Sequence, residues 1–356
     1  MDTVKVKKET KNKIKVDFER APLKERLKQK FLSMHFLTKV AYVIFRTVLL
    51  IGITFIILYP YIKKILSSVM SISDIKDATV VLISKNPTFD QYWYILTQNG
   101  YLKAVFTTFM VSFTVALIQT LVCALVAYGL AKFKFKGNGI IFIFVIVTLM
   151  VPQEALERSM SDFFKQITLF KETLSPVSPF FAKLQEWFGM FENGYGFTNS
   201  LIPLYTLSIF GLGFKNGLFI FMLRQFFKGV PDELEESAFV DGSSALRTFF
   251  SIIIPISIPM LVTVFIFAFS WQWTDNFYTS IFMDADNPAF TFMSNIAKTP
   301  EAIKEVLNGE LDTIQSSYNA IIAGTSTILI ALPLIIAYVF LQRKIVEGVE
   351  RSGIVG

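Results

Sequence analysis

The chain has 356 residues, of which 53% are hydrophobic and 17% charged, and its mean hydropathy is +0.52. A soluble domain carries about a quarter charged residues, so this composition excludes an ordinary soluble protein and indicates an integral membrane protein. A single Cys and a single His exclude a disulfide framework within the chain and the usual His/Cys zinc sites. The net charge of +6 does not indicate nucleic-acid binding, because the basic residues flank apolar segments, as in cytoplasmic membrane loops.

Six apolar segments approach the roughly 20 residues that a helix needs to cross a bilayer. They predict an all-α integral membrane protein with six transmembrane helices. Basic residues before the first span and after the last place both termini in the cytoplasm. Pro60 is expected to stop the first span, and the third is long enough only if it continues through Pro152 towards Leu156. The spans are predicted at 40–59, 102–131, from 140 past 150, 201–223, 249–273 and 318–341.

The spans divide the chain into a basic N-terminal extension (1–38), a six-helix membrane domain (39–345) and a glycine-containing cytoplasmic tail (346–356). The basic extension is expected to be solvated or bound to lipid headgroups. Residues 275–317 predict an acidic helical cap on the outside, and the external insertion 157–200 contains an amphipathic stripe. That stripe either lies in the outer membrane interface or packs against the periphery of the protein. Its apolar members recur at three- and four-residue steps: Phe180, Leu184, Trp187, Phe188 and Phe191.

The cytoplasmic loop at 228–248 is unlike its apolar surroundings. Pro231 suits the first position of a helix, and the acidic residues after it complement a helix N-terminus. Gly242 can adopt the left-handed conformation that ends a helix, and Ser243 or Ser244 can cap the next one. The loop therefore predicts a short acidic helix, a sharp turn and a membrane helix kinked near its start by proline.

This loop resembles the EAA signature of the permeases of binding-protein-dependent ABC importers. The matching residues are Glu236, Ser237, Ala238, Asp241, Gly242, Phe249, Ile252 and Pro255, with Ser237 standing where the family has alanine. Further motifs occur in the family's order: "AYGLAKFKFKG" at 127–137, "MVPQ" at 150–153 and "LRQFFKGVPDELEESA" at 223–238. The ending resembles the second permease type of the carbohydrate-uptake (maltose and multiple-sugar) class. The N-terminal extension and the length of the insertion 157–200 depart from the family.

The resemblance implies a type I ABC importer permease fold and a multi-pass position in the plasma membrane of a bacterium. It implies that Glu236, Ser237, Ala238, Asp241, Gly242 and Pro255 couple this chain to a cytoplasmic ATPase. The implied partners are a second permease subunit in a heterodimer, an ATPase dimer and an extracytoplasmic solute-binding protein. The chain contains no G-x-x-x-x-G-K-[ST] phosphate loop, so ATP and Mg²⁺ are expected on the ATPase subunits, with no cofactor or metal on this chain.

Two pairs of residues are candidates for the substrate pathway. Lys215 and Asn216 interrupt the fourth span near mid-bilayer. Lys215 either pairs with Glu154 or meets the substrate, for which an acidic sugar would be suited; otherwise it lies at a membrane edge. Trp271 and Trp273, in "FSWQWTDNF", either stack on sugar faces or belong to an interfacial aromatic belt. Neither the sugar nor direct contact between this chain and substrate follows from these residues.

Two other functions are compatible with the composition. A membrane-embedded sugar transferase would need carboxylates near the surface, for which Asp284 and Asp286 are candidates, although a turn before Pro288 also explains them. A secondary transporter is the other alternative, but the halves of the chain show no inverted repeat. The sequence therefore favours a non-catalytic permease subunit that forms half of a carbohydrate pathway.

Overall fold

We describe a computed structural model of the chain over residues 5–9, 15–19, 34–174, 200–283 and 291–353. Several sequence predictions lie outside these residues: the aromatic stripe at 180–191, the carboxylates Asp284 and Asp286, and the end of the tail at Gly356. The side chain of Glu154 also lies outside the described part.

The described elements are almost entirely helical. The two strands are β1 (Lys5–Glu9) and β2 (Lys15–Glu19). The helices before the cytoplasmic loop are α1 (Met34–Ser67), α2 (Ile72–Lys76), α3 (Asp90–Gln98), α4 (Tyr101–Lys132), α5 (Asn138–Met150), α6 (Glu157–Leu174), α7 (Ile202–Ile209) and α8 (Asn216–Lys228). The later helices are α9 (Glu233–Val240), α10 (Ala245–Thr248), α11 (Ile254–Ile256), α12 (Ile258–Trp273), α13 (Phe277–Phe282), α14 (Glu301–Leu307) and α15 (Asp312–Gly353).

The chain forms two compact units, Met1–Leu66 and Ser67–Gly356. In the first unit, β1 and β2 form an antiparallel ribbon that the sequence analysis did not predict. Its register sets Lys5 opposite Glu19, Lys7 opposite Asp17 and Glu9 opposite Lys15. Residues of opposite charge at facing positions favour this register.

Among the described residues, three helices are long and apolar enough to cross a membrane, namely residues 38–67 of α1, 101–132 of α4 and 312–343 of α15. A bent pair, 245–256 with 258–273, makes a fourth when it is counted as one span. The prediction that Pro60 stops the first span is wrong, because α1 continues through this proline to Ser67. Transmembrane helices tolerate an interior proline when the freed backbone groups find other partners. The count of six spans and the cytoplasmic termini stay predictions.

The third predicted span is not a continuous helix through Pro152. Helix α5 ends at Met150, and Val151 adopts extended backbone angles, with φ −77° and ψ 117°. Proline disfavours the helical conformation of the residue before it, which explains the break at this point. The chain then forms a 3₁₀ turn, Gln153–Leu156, before α6.

The fourth predicted span is also broken. Helix α7 ends near Gly211, whose φ is +72°, and α8 begins after Lys215, whose φ is +60°. Lys215 is the non-glycine residue with positive φ in the described part of the chain. This conformation is uncommon for a lysine, so the packing around it must hold the backbone there.

The fifth span bends by 83° between the segments 245–256 and 258–273. Pro259 lacks the N–H that would continue the helix, and its ring would clash with a carbonyl one turn earlier. Ser257, at the bend, donates both its N–H (3.0 Å) and its hydroxyl (2.7 Å) to the Ile253 carbonyl. The predicted proline kink is confirmed, and Ser257 satisfies the backbone where the helix breaks.

Helix α4 packs against α8 and α12, and α12 packs against α15. The face of α4 in these contacts is built from small residues that are fully buried, among them Ala116, Cys123, Ala124 and Ala127. Small residues allow helix backbones to approach closely in a membrane, where burial of apolar side chains provides little drive. The opposite side of α4 exposes large apolar residues such as Leu102 (78%) and Phe106 (64%), as expected where lipid or another subunit covers it.

The sixth predicted span extends beyond its expected end. Helix α15 has 42 residues, contains Pro333 and runs to Gly353. The backbone of the predicted tail is therefore helical as far as Gly353.

Gly217, the second residue of α8, tests the close approach of α8 and α5. A Cβ at this position would clash with Thr148 Oγ1 and lie 2.9 Å from the Val145 carbonyl oxygen. We expect Gly217→Ala to destabilise the protein by about 1–3 kcal/mol, since overpacking forces backbone shifts. The melting temperature of the purified protein in detergent measures this effect.

Gly129→Ala, in α4, is the matched control. A Cβ there would meet its nearest atom, in the Phe133 ring, at 4.0 Å. Alanine is the better helix former, so this variant should melt at or slightly above the parent temperature. Equal melting temperatures for both variants would contradict the close packing of α8 on α5.

Candidate functional site

The acidic cytoplasmic helix predicted from the sequence is α9, which begins at Glu233 after the N-cap residue Asp232. Pro231 therefore precedes the cap rather than occupying the first helical position. The backbone carbonyl of Asp232 accepts the N–H groups of Glu235 and Glu236, both at 3.0 Å. Carboxylates in the first turn of α9 stabilise it through the positive end of the helix dipole.

Gly242 ends α9 as predicted, with a φ of +82°. The Ser243 N–H donates to the Ala238 carbonyl at 2.9 Å, and the Gly242 N–H donates to the Phe239 carbonyl at 3.0 Å. This pair of bonds is a Schellman motif, which satisfies the last carbonyls of a helix and needs a left-handed residue. A Cβ on Gly242 would meet no atom within 4 Å, so conformation rather than space requires glycine here.

Ser244, of the two serines considered as caps, caps α10. Its backbone is extended (φ −75°, ψ 160°), and its hydroxyl accepts the Arg247 N–H at 3.4 Å. Ser243 instead accepts a hydrogen bond from the Thr248 hydroxyl at 3.1 Å. The turn between α9 and α10 is thus held on both sides of Gly242.

One face of the loop is exposed and combines carboxylates with apolar side chains. Glu236, Ser237 and Asp241 are exposed, as is Pro255 further along the chain. The apolar members of this surface include Val240 (87% exposed) and Leu246 (64%). Exposed apolar groups rimmed by charges are typical of protein-protein contact sites.

Ala238 does not belong to that exposed face. The sequence analysis grouped it with the residues that couple to an ATPase, but it is 7% exposed and faces the interior of this chain. Successive helix residues are about 100° apart, so Ala238 and Glu236 lie on different sides of α9. Ala238 thus packs α9 onto this chain, and its expected coupling role stays a prediction.

A buried polar cluster below α9 was not predicted from the sequence. The Lys132 ammonium, at the end of α4, lies 2.6 Å from Asp232 Oδ1, 2.6 Å from the Val230 carbonyl oxygen and 3.2 Å from Glu235 Oε1. Tyr128 donates its hydroxyl proton to Glu235 Oε2 at 2.9 Å. We call Tyr128, Lys132 and Glu235 the α4–α9 joint.

The charges of this joint are shielded from solvent. The side chains of Lys132 and Glu235 are 6% and 7% exposed, whereas that of Asp232 is 76% exposed. The hydrogen bond from Lys132 lowers the pKa of Asp232, which stays ionised at neutral pH. The contact between Lys132 and Glu235 Oε1 is electrostatic, because this oxygen accepts no hydrogen bond from the described residues. Removing one partner of a buried ion pair typically costs about 3–5 kcal/mol, since the other charge is left uncompensated.

The sequence did contain a signal for this joint. Tyr128 and Lys132 are four residues apart and share one face of α4, while Asp232 and Glu235 are three apart on α9. Nothing in the sequence joins the two pairs, which are separated by about a hundred positions. Only the fold brings them together.

Lys215 is exposed on the surface of this chain, at the N-terminal end of α8. Its ammonium group lies 5.0 Å from the centroid of the Phe214 ring. Its expected place near mid-bilayer, nine positions before Arg224, stays a prediction, as do the alternatives of an ion pair with Glu154 and a place at the membrane edge.

Asn216, the next residue, is 2% exposed and points into the chain. Neither polar atom of its side chain has a hydrogen-bond partner among the described residues. The backbone carbonyl oxygen of Asn216 accepts a hydrogen bond from the Cys123 thiol on α4 at 3.8 Å. The side-chain Nδ2 of Asn216 lies close to where a Cβ of Gly213 would be. Buried amides without partners are rare, so the break in the fourth span places an unsatisfied polar group inside the membrane domain.

The two tryptophans have different surroundings. Trp273 is 3% exposed and donates its ring N–H to the Ile330 carbonyl at 3.0 Å, which ties α12 to α15. Trp271 is partly buried, and its ring stacks on Phe219 with centroids 5.5 Å apart. In this conformation Trp273 has no free ring face for a sugar, whereas Trp271 lies at the edge of the core.

A small polar cavity lies beside Trp273. It is lined by Thr108, Ser112, Gln272, Asp275, Thr279 and Ser294 among others. Burial raises the pKa of Asp275, although this carboxylate accepts hydrogen bonds from the N–H groups of Tyr278 (3.2 Å) and Thr279 (3.0 Å). Those bonds cap α13, so we assign Asp275 a structural role.

Sequence comparisons match this chain to a known family and to individual relatives. Residues 119–351 match the family described as "Binding-protein-dependent transport system inner membrane component". The arabinooligosaccharides transport system permease protein AraQ of Halalkalibacterium halodurans is 25% identical over 307 residues, which cover 85% of this chain and 93% of that protein. The alpha-glucoside transport system permease protein AglG of Rhizobium meliloti is 27% identical over 272 residues, covering 76% and 60%.

The fold is also similar to a solved structure. A bacterial ABC transporter involved in the import of the acidic polysaccharide alginate superposes with a TM-score of 0.57 and 17% identity, covering 86% of this chain and 97% of that chain. The predicted resemblance and the helical permease fold are confirmed. The chain belongs to the family of inner membrane components of binding-protein-dependent transport systems, the non-catalytic multi-pass permease subunits that work with an ATPase and a binding protein in bacterial ABC importers.

Proposed function

We propose that this chain forms half of the translocation path of an ATP-driven importer that takes up a carbohydrate. A second, different permease subunit forms the other half, and an extracytoplasmic binding protein delivers the sugar. ATP and Mg²⁺ bind to a cytoplasmic ATPase dimer. The observation that carries this proposal is the exposed face of α9, where Glu236 and Val240 lie beside the left-handed Gly242.

The chemistry of this face suits docking into a groove of another protein. Glu236 can pair with a basic residue of the ATPase, while Val240 and Leu246 lose their exposed apolar surface to it. Ser237 and Asp241 provide polar contacts at the rim. Gly242 and the bend near Pro255 then connect α9 to α12, so that movement of the ATPase turns a membrane helix.

The proposal that the substrate is a carbohydrate is based on the relatives. AraQ and AglG are named for the transport of arabinooligosaccharides and of alpha-glucosides. Aromatic and amide side chains suit sugars, because ring faces stack on apolar sugar faces and amides bond to hydroxyl groups. We propose that Lys215, Asn216 and Trp271 line the path and that Trp273 supports it by packing α12 on α15.

The coupling role predicts that Glu236→Ala and Gly242→Pro abolish uptake while the protein stays in the membrane. Alanine removes the charge that docks on the ATPase. Proline cannot adopt the left-handed conformation, because its ring holds φ near −65°. The measurement is binding-protein-stimulated ATP hydrolysis and sugar uptake by the complex in proteoliposomes.

Glu301→Ala provides the control, since Glu301 is an exposed carboxylate far from the loop, with 80% of its side chain accessible. It should transport like the parent. Full stimulated uptake in the Glu236 and Gly242 variants would contradict the coupling role of α9.

The pathway role predicts that Lys215→Met lowers uptake and leaves assembly intact, because an exposed mid-membrane ammonium faces water or substrate. Lys228→Met, at the other end of α8, removes a charge that is exposed near the cytoplasm and should have little effect. Co-purification of the subunits reports assembly, and uptake of radiolabelled sugar reports the path. Normal uptake and assembly in Lys215→Met would place this lysine at a membrane edge, outside the path.

A further inference from the structure

We infer that the α4–α9 joint is a rigid attachment through which ATPase motion reaches the second membrane span as well as the fifth. This inference rests on the proposed docking role of α9 and adds three positioning residues: Tyr128, Lys132 and Glu235. Their side chains are buried within this chain. They act by holding α9, the helix that docks on the ATPase.

Neighbouring carboxylates on α9 have opposite surroundings. Glu236 is exposed, whereas Glu235 is 6% exposed and turned towards α4. Glu235 meets the Lys132 ammonium at 3.2 Å and the Tyr128 hydroxyl at 2.9 Å. One carboxylate is thus available to a partner protein, and the next is committed to this chain.

Lys132 contacts the loop at more than one residue. Its ammonium lies 2.6 Å from the carbonyl oxygen of Val230, just before α9, and 2.6 Å from the carboxylate of Asp232 at the N-cap. Together with Glu235, these contacts span the first turn of α9. Two hydrogen bonds and one ion pair around a single ammonium fix both the position and the direction of the helix.

Tyr128 connects the joint to the rest of the membrane domain. Its hydroxyl reaches Glu235, and its ring lies 5.0 Å from the Phe249 ring and 6.1 Å from the Phe227 ring. Phe249 begins the segment that leads into the bend of span five, and Phe227 lies in the last turn of α8. From one position on α4, Tyr128 therefore contacts α8, the start of span five and α9.

The two ends of α9 are attached differently. The N-terminal end is fixed to α4 by buried charges, and the C-terminal end is closed by the Schellman bonds at Gly242. A rotation of α9 is therefore passed to α4 at one end and, through the turn at Gly242, towards α12 at the other. Because α4 packs on both α8 and α12, displacement of its cytoplasmic end reaches the core of the bundle.

The test uses the complete transporter in proteoliposomes, with Lys132→Met, Glu235→Gln and Tyr128→Phe in this chain. We measure sugar molecules transported per ATP hydrolysed, together with co-purification of the ATPase. The joint predicts that this ratio falls by about tenfold, within the usual range of coupling between sites, while the ATPase still co-purifies. A merely structural role would lower transport and stimulated hydrolysis in proportion and leave the ratio unchanged.

Three further variants sharpen the test. Lys132→Arg keeps the charge and should restore most of the ratio. Asp232→Asn keeps an oxygen acceptor for Lys132 and loses only the charge of a side chain that is 76% exposed, so it should lower the ratio less than Glu235→Gln. The double variant Lys132→Met with Glu235→Gln should be no worse than either single one, because both remove the same interaction.

The possible results distinguish failure of the α4–α9 joint from failure of the proposed docking role of α9. If Glu236→Ala blocks transport but the joint variants keep the parent ratio, the joint is wrong and the docking role stands. If Glu236→Ala also transports normally, the docking role itself fails. Should Lys132→Met not assemble, Tyr128→Phe decides, since it removes one hydroxyl and keeps the ring contacts; an unchanged ratio there overturns the joint.

Discussion

The close packing of α4 against α8 and α12 is the interaction on which the rest of the membrane domain depends. Lipid offers no hydrophobic drive for helices to associate, so contact between backbones must supply the stability. Buried small residues such as Ala116, Ala124 and Ala127 on α4 permit that contact. Gly217 does the same for α8 against α5, where a single methyl group would clash. The candidate functional residues on these helices take their positions from this packing.

The packed set also explains why the membrane helices can break. In hydrocarbon an unpaired backbone group is costly, so irregular backbone occurs only where protein or water satisfies it. Ser257 donates to the Ile253 carbonyl at the 83° bend, and the Schellman bonds close α9 at Gly242. At the break in the fourth span, the side chain of Asn216 has no hydrogen-bond partner among the described residues.

The cytoplasmic loop is firmly attached and also presents an exposed surface. Buried charges attach the first turn of α9 to α4, and the Schellman bonds at Gly242 close its last turn. Its outer face keeps Glu236 and Val240 exposed for a partner. A subunit that receives movement from another protein needs both properties, because the exposed face allows docking and a loose helix would absorb the movement.

The membrane class, the approximate positions of four of the six predicted spans, the acidic helix with its left-handed Gly242, and the family could all be predicted from the sequence. These depend on composition, local periodicity and short motifs, which act over a few residues. The sequence did not determine where the helices end. Pro60 lies within α1, whereas Pro152 follows a true break, because the surroundings decide whether a proline can be accommodated.

Only the tertiary structure decided which side chains face one another. It turned Ala238 inwards, enclosed Trp273 against α15, and left Lys215 exposed at the break before α8. It also joined Lys132 to Glu235, about a hundred positions later in the chain. The reason is physical: the direction of a side chain on a helix is local, but its burial and its partner depend on which other helix packs there. That choice is made by the whole bundle.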